Sequence, residues 1–328
     1  MGDVMKLIIN HSTDPAFNLA LEEYVLTRTT LDVIMLWRNK ASVIIGRNQN
    51  AIEEMDMDFV RENGIIVIRR QSGGGAVFHD LGNINFTVIH GLGKNDFSNY
   101  EKFTAPVREF LQGLGVRATL AGRNDLVIDG AKFSGNAQAV KGERIMHHGT
   151  ILYNANVEWL SGALKPKQAK IESKGIKSAR ERVTNVYEHL SEPMSVERFF
   201  DMLSDFFLAR SDGLYELTDA DIAATGELVE KKYSAWEWNI GHSPKYSHRK
   251  SERFTSGMIE VCLTVTDGVI RDTRIFGDFF SARELFELEA RFNGIRHDDK
   301  EALREALNGI ELNDYISGIT PDEFLSLF

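Results

Sequence analysis

The stretch Arg69-Arg70-Gln71-Ser72-Gly73-Gly74-Gly75-Ala76-Val77-Phe78-His79-Asp80 separates the folds open to this chain. A β-branched apolar run, Ile65–Ile68, leads into it, and a second strand-like run, Asn83–Ile89, follows. Glycine lacks a Cβ, so three in succession let the backbone come close to a ligand and turn several N–H groups on one anion. Arginine adds a planar fork of donors that fits phosphate or carboxylate. A phosphate loop of the GxxxxGK[ST] type is excluded, because that pattern does not occur and no helix signal follows the glycines. The plainer reading is a glycine-rich hairpin turn with exposed arginines, yet such a turn needs only about two to five residues. The sequence predicts an anion cradle between two strands.

Toward the N-terminus, Met5–Ile9 reads as a strand and Thr13-Asp14-Pro15 as the start of a helix over Ala16–Thr27. Asp32–Trp37 and Ser42–Ile45 read as strands joined by the polar turn Arg38-Asn39-Lys40. Met57–Glu62 reads as a short helix ending at Asn63-Gly64. Beyond the cradle a helix is expected over Pro106–Leu114, stopped by Gly115. Four strands follow, Ala118–Ala121, Leu126–Ile128, Ala131–Val140 and Ile145–Leu152, with hairpin signals at Asp129-Gly130 and Lys141-Gly142. Ser195–Arg210 carries Phe199, Phe200, Leu203, Phe206 and Phe207 on one broad helical face.

Trp238–Ser251 is polar and aperiodic and reads as a linker. Past it, Met258–Thr266 and Ile270–Phe276 pair across Asp267-Gly268, Ser281-Ala282-Arg283-Glu284 reads as a capping box opening a helix to Arg291, and Thr320-Pro321-Asp322-Glu323 opens a last one. Strands arrive in hairpin groups and not as alternating βαβ units. The fold class expected is therefore α+β: a mixed, mainly antiparallel sheet with flanking helices, plus a small α+β C-terminal accessory domain. The expected domains are 1–243 and 253–328, with a linker at 244–252.

A chain of 328 residues passes the usual limit of about 250–300 for one core. Its net charge of −10 argues against wholesale binding of nucleic acid or membrane. Cys262 is the single cysteine, so no internal disulfide exists, in keeping with a reducing compartment. The N-terminus carries no signal-like pattern and no apolar run long enough to span a bilayer, so a cytoplasmic protein is expected.

Several residues bear chemistry. In Asp129-Gly130-Ala131-Lys132-Phe133-Ser134-Gly135, strand alternation puts Lys132 and Ser134 on one face and Phe133 on the other. Lys132 is either a solvated edge lysine or the mobile point charge that a phosphate needs beside backbone donors. Asn124 and Asp125 offer oxygen ligands for Mg²⁺ or simply a turn. Adjacent His147 and His148 must face opposite sides of a strand, which leaves one free to line a pocket. Trp37 reads as core or as a pocket wall. The span 165–182 is basic on an acidic protein, and reads as a solvated loop, a gate, or a contact for an acidic partner.

The segments RRQSGGGAVFHDLGNINFTV (69–88), GRNDLVIDGAKFSGNAQA (122–139), HHGTILYNA (147–155), KGIKSARERVTNV (174–186), SAWEWNIG (234–241) and FTSGMIEVCLTV (254–265) resemble those of lipoate–protein ligases, over nearly the whole chain. The resemblance implies a catalytic domain related to biotin–protein ligases and class II aminoacyl-tRNA synthetases. It also implies a reaction in which lipoate, ATP and Mg²⁺ give lipoyl-AMP. The lipoyl group then passes to a lysine of a lipoyl domain in a 2-oxoacid dehydrogenase subunit or the glycine cleavage H protein. By motif position, Arg70 and the backbone of Gly75, Ala76, Val77 and Phe78 are expected to hold ATP or the adenylate. Lys132 is expected at the α-phosphate and lipoyl carbonyl. Trp37, Ser72, His79 and His148 are expected around lipoate, with the strands of Ile44, Ile45, Val88 and Ile151 supplying an apolar slot.

Three rivals remain. An ATP-independent octanoyl or lipoyl transferase of the same fold needs a cysteine nucleophile, and Cys262 falls in the expected accessory domain. A non-catalytic lipoate-binding protein has no need of Lys132. A biotin ligase is disfavoured by RRQSGGG and HHGT.

Overall fold

Asp14 accepts a hydrogen bond from the Ala16 N–H at 3.1 Å, and Pro15 takes the first helical position, where a missing N–H costs nothing; helix α1 (Pro15–Arg28) starts there. The computed structural model describes residues 5–164, 183–240 and 248–328. The basic span 165–182 therefore lies outside the described residues.

Seven strands form the main sheet: β1 (Lys6–Ile9), β2 (Val33–Arg38), β6 (Asn83–Gly91), β7 (Thr119–Ala121), β8 (Asp125–Ile128), β9 (Ala131–Lys141) and β10 (Arg144–Leu152), in the order β1-β2-β6-β10-β9-β8-β7. Only β1 and β2 run parallel; the other neighbours are antiparallel. A second sheet, β4-β3-β5, combines β3 (Ser42–Ile45), β4 (Ile66–Arg69) and β5 (Val77–His79). The expected α+β class with a mixed, mainly antiparallel sheet is what forms.

One face of the main sheet carries Ile34, Leu36, Ile84, Phe86 and Val88 against helix α4 (Tyr100–Gly113) and the helix Val196–Leu208. Its other face meets α1 and the inward side chains of the second sheet, Ile44 and Ile68. Helices α2 (Ala51–Glu54), α3 (Met57–Glu62) and α5 (Val157–Ala163) cover the far side of that second sheet with Val43, Ile45 and Phe78. The space between the two sheets, beside α1, is where a ligand can enter.

Beyond residue 247, β11 (His248–Phe254), β12 (Gly257–Thr266) and β13 (Val269–Gly277) make an antiparallel sheet with its own apolar core. The β12–β13 turn has Asp267 and Gly268 at φ of 52° and 76°, the primed geometry that Asp-Gly favours. Thr320 and Glu323 cap the final helix reciprocally, as expected.

Some sequence expectations fail locally. Helix α4 begins at Tyr100, capped by Asn99, with Pro106 inside it; the stripe Tyr100, Phe103, Thr104, Val107, Phe110, Leu111 outweighs the donor lost at the proline. Ser281-Ala282-Arg283-Glu284 opens no helix, which spans only Phe286–Ala290. Glu284 instead reaches Lys141 and Arg47, and Ser281 accepts from Asn48. Within the expected linker, Trp238 and Asn239 are helical and His248–Ser251 are in β11, while 241–247 fall outside the described residues. The strand directly after the glycines is β5, and β6 belongs to the other sheet.

Candidate functional site: a cavity between the two sheets

The glycine segment leaves β4 and passes the end of β3 to reach β5 on the far side of the same sheet. It passes so close to β3 that a Cβ on Gly46 would lie 1.9 Å from the Gly74 carbonyl oxygen. Gly74 itself has φ +87°, a conformation other residues resist. Arg70 braces the loop from within. Its Nε donates to Ser72 Oγ (2.9 Å), one terminal nitrogen to the Ile44 carbonyl (3.1 Å), and the other to the carbonyls of Gly73 (2.6 Å) and Gly75 (2.8 Å). Burial pulls its pKa down to about 10, with Glu22 opposing, which leaves the guanidinium charged at neutral pH. Arg69 points elsewhere, into the carbonyls of Gly46, Arg47, Gln49 and Trp238, and is a structural tie. Of the two arginines, only Arg70, the one expected at ATP or the adenylate, lines the cavity.

The cavity beside this loop has two kinds of wall. Leu19, Trp37, Ile44 and Val77 form an apolar side that also holds His79 and Asn85. The opposite side is polar, with Arg123, Asn124, Asp125, Lys132 and Asn136. Lys132 Nζ lies 2.7 Å from Asp125 Oδ1, and its side chain passes over Gly135, where a Cβ would meet Nζ at 3.1 Å. Asn124 and Asn136 exchange side-chain and backbone hydrogen bonds, fixing the β8 end on which Asp125 sits.

Of the expected residues, Trp37, Arg70, Gly75, Ala76, Val77, His79, Asn124, Asp125, Lys132 and His148 all line this one cavity. Phe78 does not: its ring packs in the outer core against Trp159. Ser72 is fully buried behind the wall. Ser134 is also buried and accepts from Asn136 Nδ2. Ile44 lines the apolar side, but Ile45 faces the outer core, and Val88 and Ile151 face the helices across the main sheet. Alternation along β3, β6 and β10 sends those three side chains away from the slot. The two histidines separate as expected. His147 stacks on Phe103 with centroids 4.7 Å apart, and burial holds its pKa well below the usual value.

Sequence reasoning missed the group that organises His148. Glu22, on the buried face of α1, accepts from His148 Nδ1 at 2.9 Å and from Thr87 Oγ1 at 2.6 Å. Thr87 in turn accepts from Trp37 Nε1 at 2.9 Å. Ser72 takes Arg70's donor, so its hydroxyl proton goes to His148 Nε2, 2.6 Å away. A continuous chain therefore runs from Arg70 to Trp37. Its Ser-His-Glu order copies that of a hydrolase triad, but Ser72 is occupied and buried, so it is a strut and not a nucleophile. Polar Asn18 and Glu22 four apart on an otherwise apolar helical face were the available signal. Glu23, the next residue, collects Gln71 (2.5 Å), Tyr233 (2.8 Å) and Lys232 (2.9 Å), which ties the glycine loop to α1.

The C-terminal unit completes the wall. Asp278 and Phe280 line the cavity, Arg123 lies 5.2 Å from the Phe280 ring, and the Phe279 carbonyl accepts from the Gly74 N–H at 3.1 Å.

An apolar slot that opens onto a glycine cradle and a lysine, closed by a small second domain, defines an enzyme that holds an acyl chain against an anion. Residues 14–208 match the family described as lipoyl protein ligase A/B catalytic domain, and residues 243–328 match the bacterial lipoate protein ligase C-terminus. The chain belongs to the lipoate–protein ligase family. The lipoate-protein ligase LplJ of Bacillus subtilis (strain 168) is 43% identical over 320 residues, which cover 96% of both chains. Among solved structures, P. falciparum LipL1 in complex with lipoate superposes with a TM-score of 0.77 at 26% identity, over 93% of this chain and 94% of that one. The bipartite ligase of Thermoplasma acidophilum, described with its E2 lipoyl domain, gives 0.64 at 31%, over 75% and 99%. A lipoate-protein ligase A bound with ATP gives 0.63 at 28%, over 73% and 99%.

Proposed function

We propose that this protein activates lipoate with ATP and transfers the lipoyl group to a lysine of a lipoyl domain. The observation that carries the reading is that Lys132, Arg70 and the Gly75–Val77 segment converge on one cavity whose other side is apolar. The acyl chain lies along Leu19, Trp37, Ile44 and Val77, where burial is worth about 0.8 kcal/mol per CH₂. His79 and His148 border it, and Ser72 orients His148 from behind.

In the first step a lipoate carboxylate oxygen bonds to the α-phosphorus of ATP and the bond to the β-phosphate oxygen breaks, releasing pyrophosphate. Charge gathers on the α-phosphoryl oxygens, where the Lys132 ammonium, the glycine-loop N–H groups and the charged Arg70 that braces them stabilise it. In the second step the acceptor amine attacks the lipoyl carbonyl, AMP departs and the amine sheds a proton; Lys132 stabilises the oxyanion. Among the described residues no group of three His, Cys, Asp or Glu could hold a metal. Asp125 and Asn124 would supply one carboxylate and a neighbouring oxygen to a Mg²⁺ brought with the nucleotide, and such an ion would neutralise phosphate charge.

The acceptors are lipoyl domains of 2-oxoacid dehydrogenase subunits and the glycine cleavage H protein, reached in the cytoplasm. The Thermoplasma pairing supports a lipoyl domain as partner. A thiol-dependent transferase is disfavoured, since Cys262 is buried on β12, outside the cavity.

Lipoate-dependent ATP–pyrophosphate exchange tests the reading, with octanoate and biotin as comparison acids. Robust exchange with lipoate and none with biotin is expected. Absence of exchange with any of the three would overturn it.

A further inference from the structure

The segment SAWEWNIG (234–241) takes no part in the chemistry above, yet Trp238 and Asn239 within it grip the root of the glycine loop. Just before it the chain makes a wide π-helical turn, Val229–Tyr233, a form that is rare and recurs at functional sites. In that turn the neighbours Lys232 and Tyr233 both reach the Glu23 carboxylate, at 2.9 and 2.8 Å. A one-turn helix, Trp236–Asn239, follows. Lys232 Nζ lies 3.9 Å from the centroid of the Trp238 ring, which holds that ring against the turn.

Arg69 meets this segment through three hydrogen bonds. Its backbone N–H donates to Asn239 Oδ1 (3.0 Å), its Nε donates to the Trp238 carbonyl (2.9 Å), and its own carbonyl accepts from Trp238 Nε1 (2.9 Å). The Asn239 amide has one orientation, because its Nδ2 donates to the Tyr233 carbonyl at 2.6 Å. Two residues on, Gln71 Nε2 donates to Glu23 at 2.5 Å and to the Tyr233 hydroxyl oxygen at 3.3 Å. Arg69, Gln71, Tyr233 and Asn239 are all buried, and neither they nor Trp238 line the cavity. Residues two apart on an extended run share a side. With Arg69 and Gln71 both drawn to this clasp, Arg70 between them is turned to the cavity that it lines.

Three successive glycines have no side chains to lock them, and glycine loses more backbone freedom on ordering than any other residue. Such a loop keeps one shape only if its flanks are held, and ordering that precedes the ligand does not subtract from its affinity. We propose that Tyr233, Trp238 and Asn239 are positioning residues that hold the glycine loop in its anion-binding shape, and so set the affinity for ATP without touching it. The inference rests on the ligase reading above, which makes ATP the occupant of the loop.

The test is calorimetric titration of the full-length protein with ATP alone and, separately, with lipoate alone, in the wild type, in Trp238→Phe and in Tyr233→Phe. Each variant keeps an aromatic ring and removes one polar hydrogen. Tyr153→Phe is the control: it removes a hydroxyl that donates to the Met194 carbonyl in the helix-side core. The Kd for ATP is expected to rise about five- to tenfold in both clasp variants, the weight of one hydrogen bond, while that for lipoate stays within about twofold. Neither is expected to move in Tyr153→Phe. A merely structural role lowers the folded fraction, which titration reads as stoichiometry and not as Kd. Wild-type affinity for ATP in both clasp variants, equal weakening of ATP and lipoate, or the same shift in Tyr153→Phe would overturn the proposal. Lipoate-dependent pyrophosphate exchange reports separately on the ligase reading. A wild type that binds ATP without exchange removes that reading and leaves the effect of the clasp on ATP standing, whereas one that binds no ATP overturns both.

Discussion

Lys132 lines the cavity 2.7 Å from Asp125, and its proposed role at the developing charge is open to a direct test. Lys132→Ala is expected to lower lipoate-dependent pyrophosphate exchange by about 10²–10³-fold, the usual cost of losing a transition-state donor; near-wild-type exchange would take Lys132 out of the chemistry. Glu22 acts through others. Glu22→Ala leaves His148 Nδ1 and Thr87 Oγ1 without their buried acceptor, so a loss of about 2–4 kcal/mol in urea unfolding is expected, with a smaller loss for Glu22→Gln. Much of the cavity lining was legible at this scale: Lys132 and His148 stand out by type and strand position, Trp37 reads as core or pocket wall, and His79 follows from the family resemblance. Glu22, Asp278 and Phe280 did not, because each comes from an element distant in sequence whose local pattern is ordinary, while Arg123 and Asn85 sit inside the quoted motifs without a pattern that singles them out. Gln71, unexplained by sequence, turns out to anchor the glycine loop on Glu23.

The glycine loop works because β3 yields room for it. Gly46→Ala forces a methyl into the Gly74 carbonyl, and an alanine there is expected to reduce both thermal stability and exchange activity. Gly226, inside the helix Asp219–Leu228 with nothing near its added Cβ, is the counterpart: Gly226→Ala is expected to raise stability by about 0.5–1 kcal/mol, read from the urea midpoint. Hairpins with Asp-Gly turns were readable because turn chemistry is local. The allocation of strands to two sheets was not, since the turn Arg38-Asn39-Lys40 looks like any hairpin while β2 and β3 pair with different neighbours. The Ser281–Glu284 box failed for a related reason: its glutamate is claimed by cations of the other unit.

Across the whole molecule, buried histidines set a pH response. His79 stays neutral when folded down to about pH 3 and titrates near 6.5 when unfolded. Between those limits the unfolded chain binds the extra proton, so stability falls as pH drops, by up to about 1.4 kcal/mol per unit for one such group. His147 contributes in the same direction. His79→Gln is expected to flatten the dependence of the urea midpoint between pH 6 and 4, and an unchanged slope would show that the imidazole is not held neutral.

Gly74 carries one last implication. Its amide proton is already spoken for by the carbonyl of Phe279, so any oxyanion that claims that proton competes with the C-terminal unit. Reciprocity then obliges the two to weaken each other by equal free energies: whatever seats the small unit firmly against the loop disfavours an anion on that amide, and the converse holds.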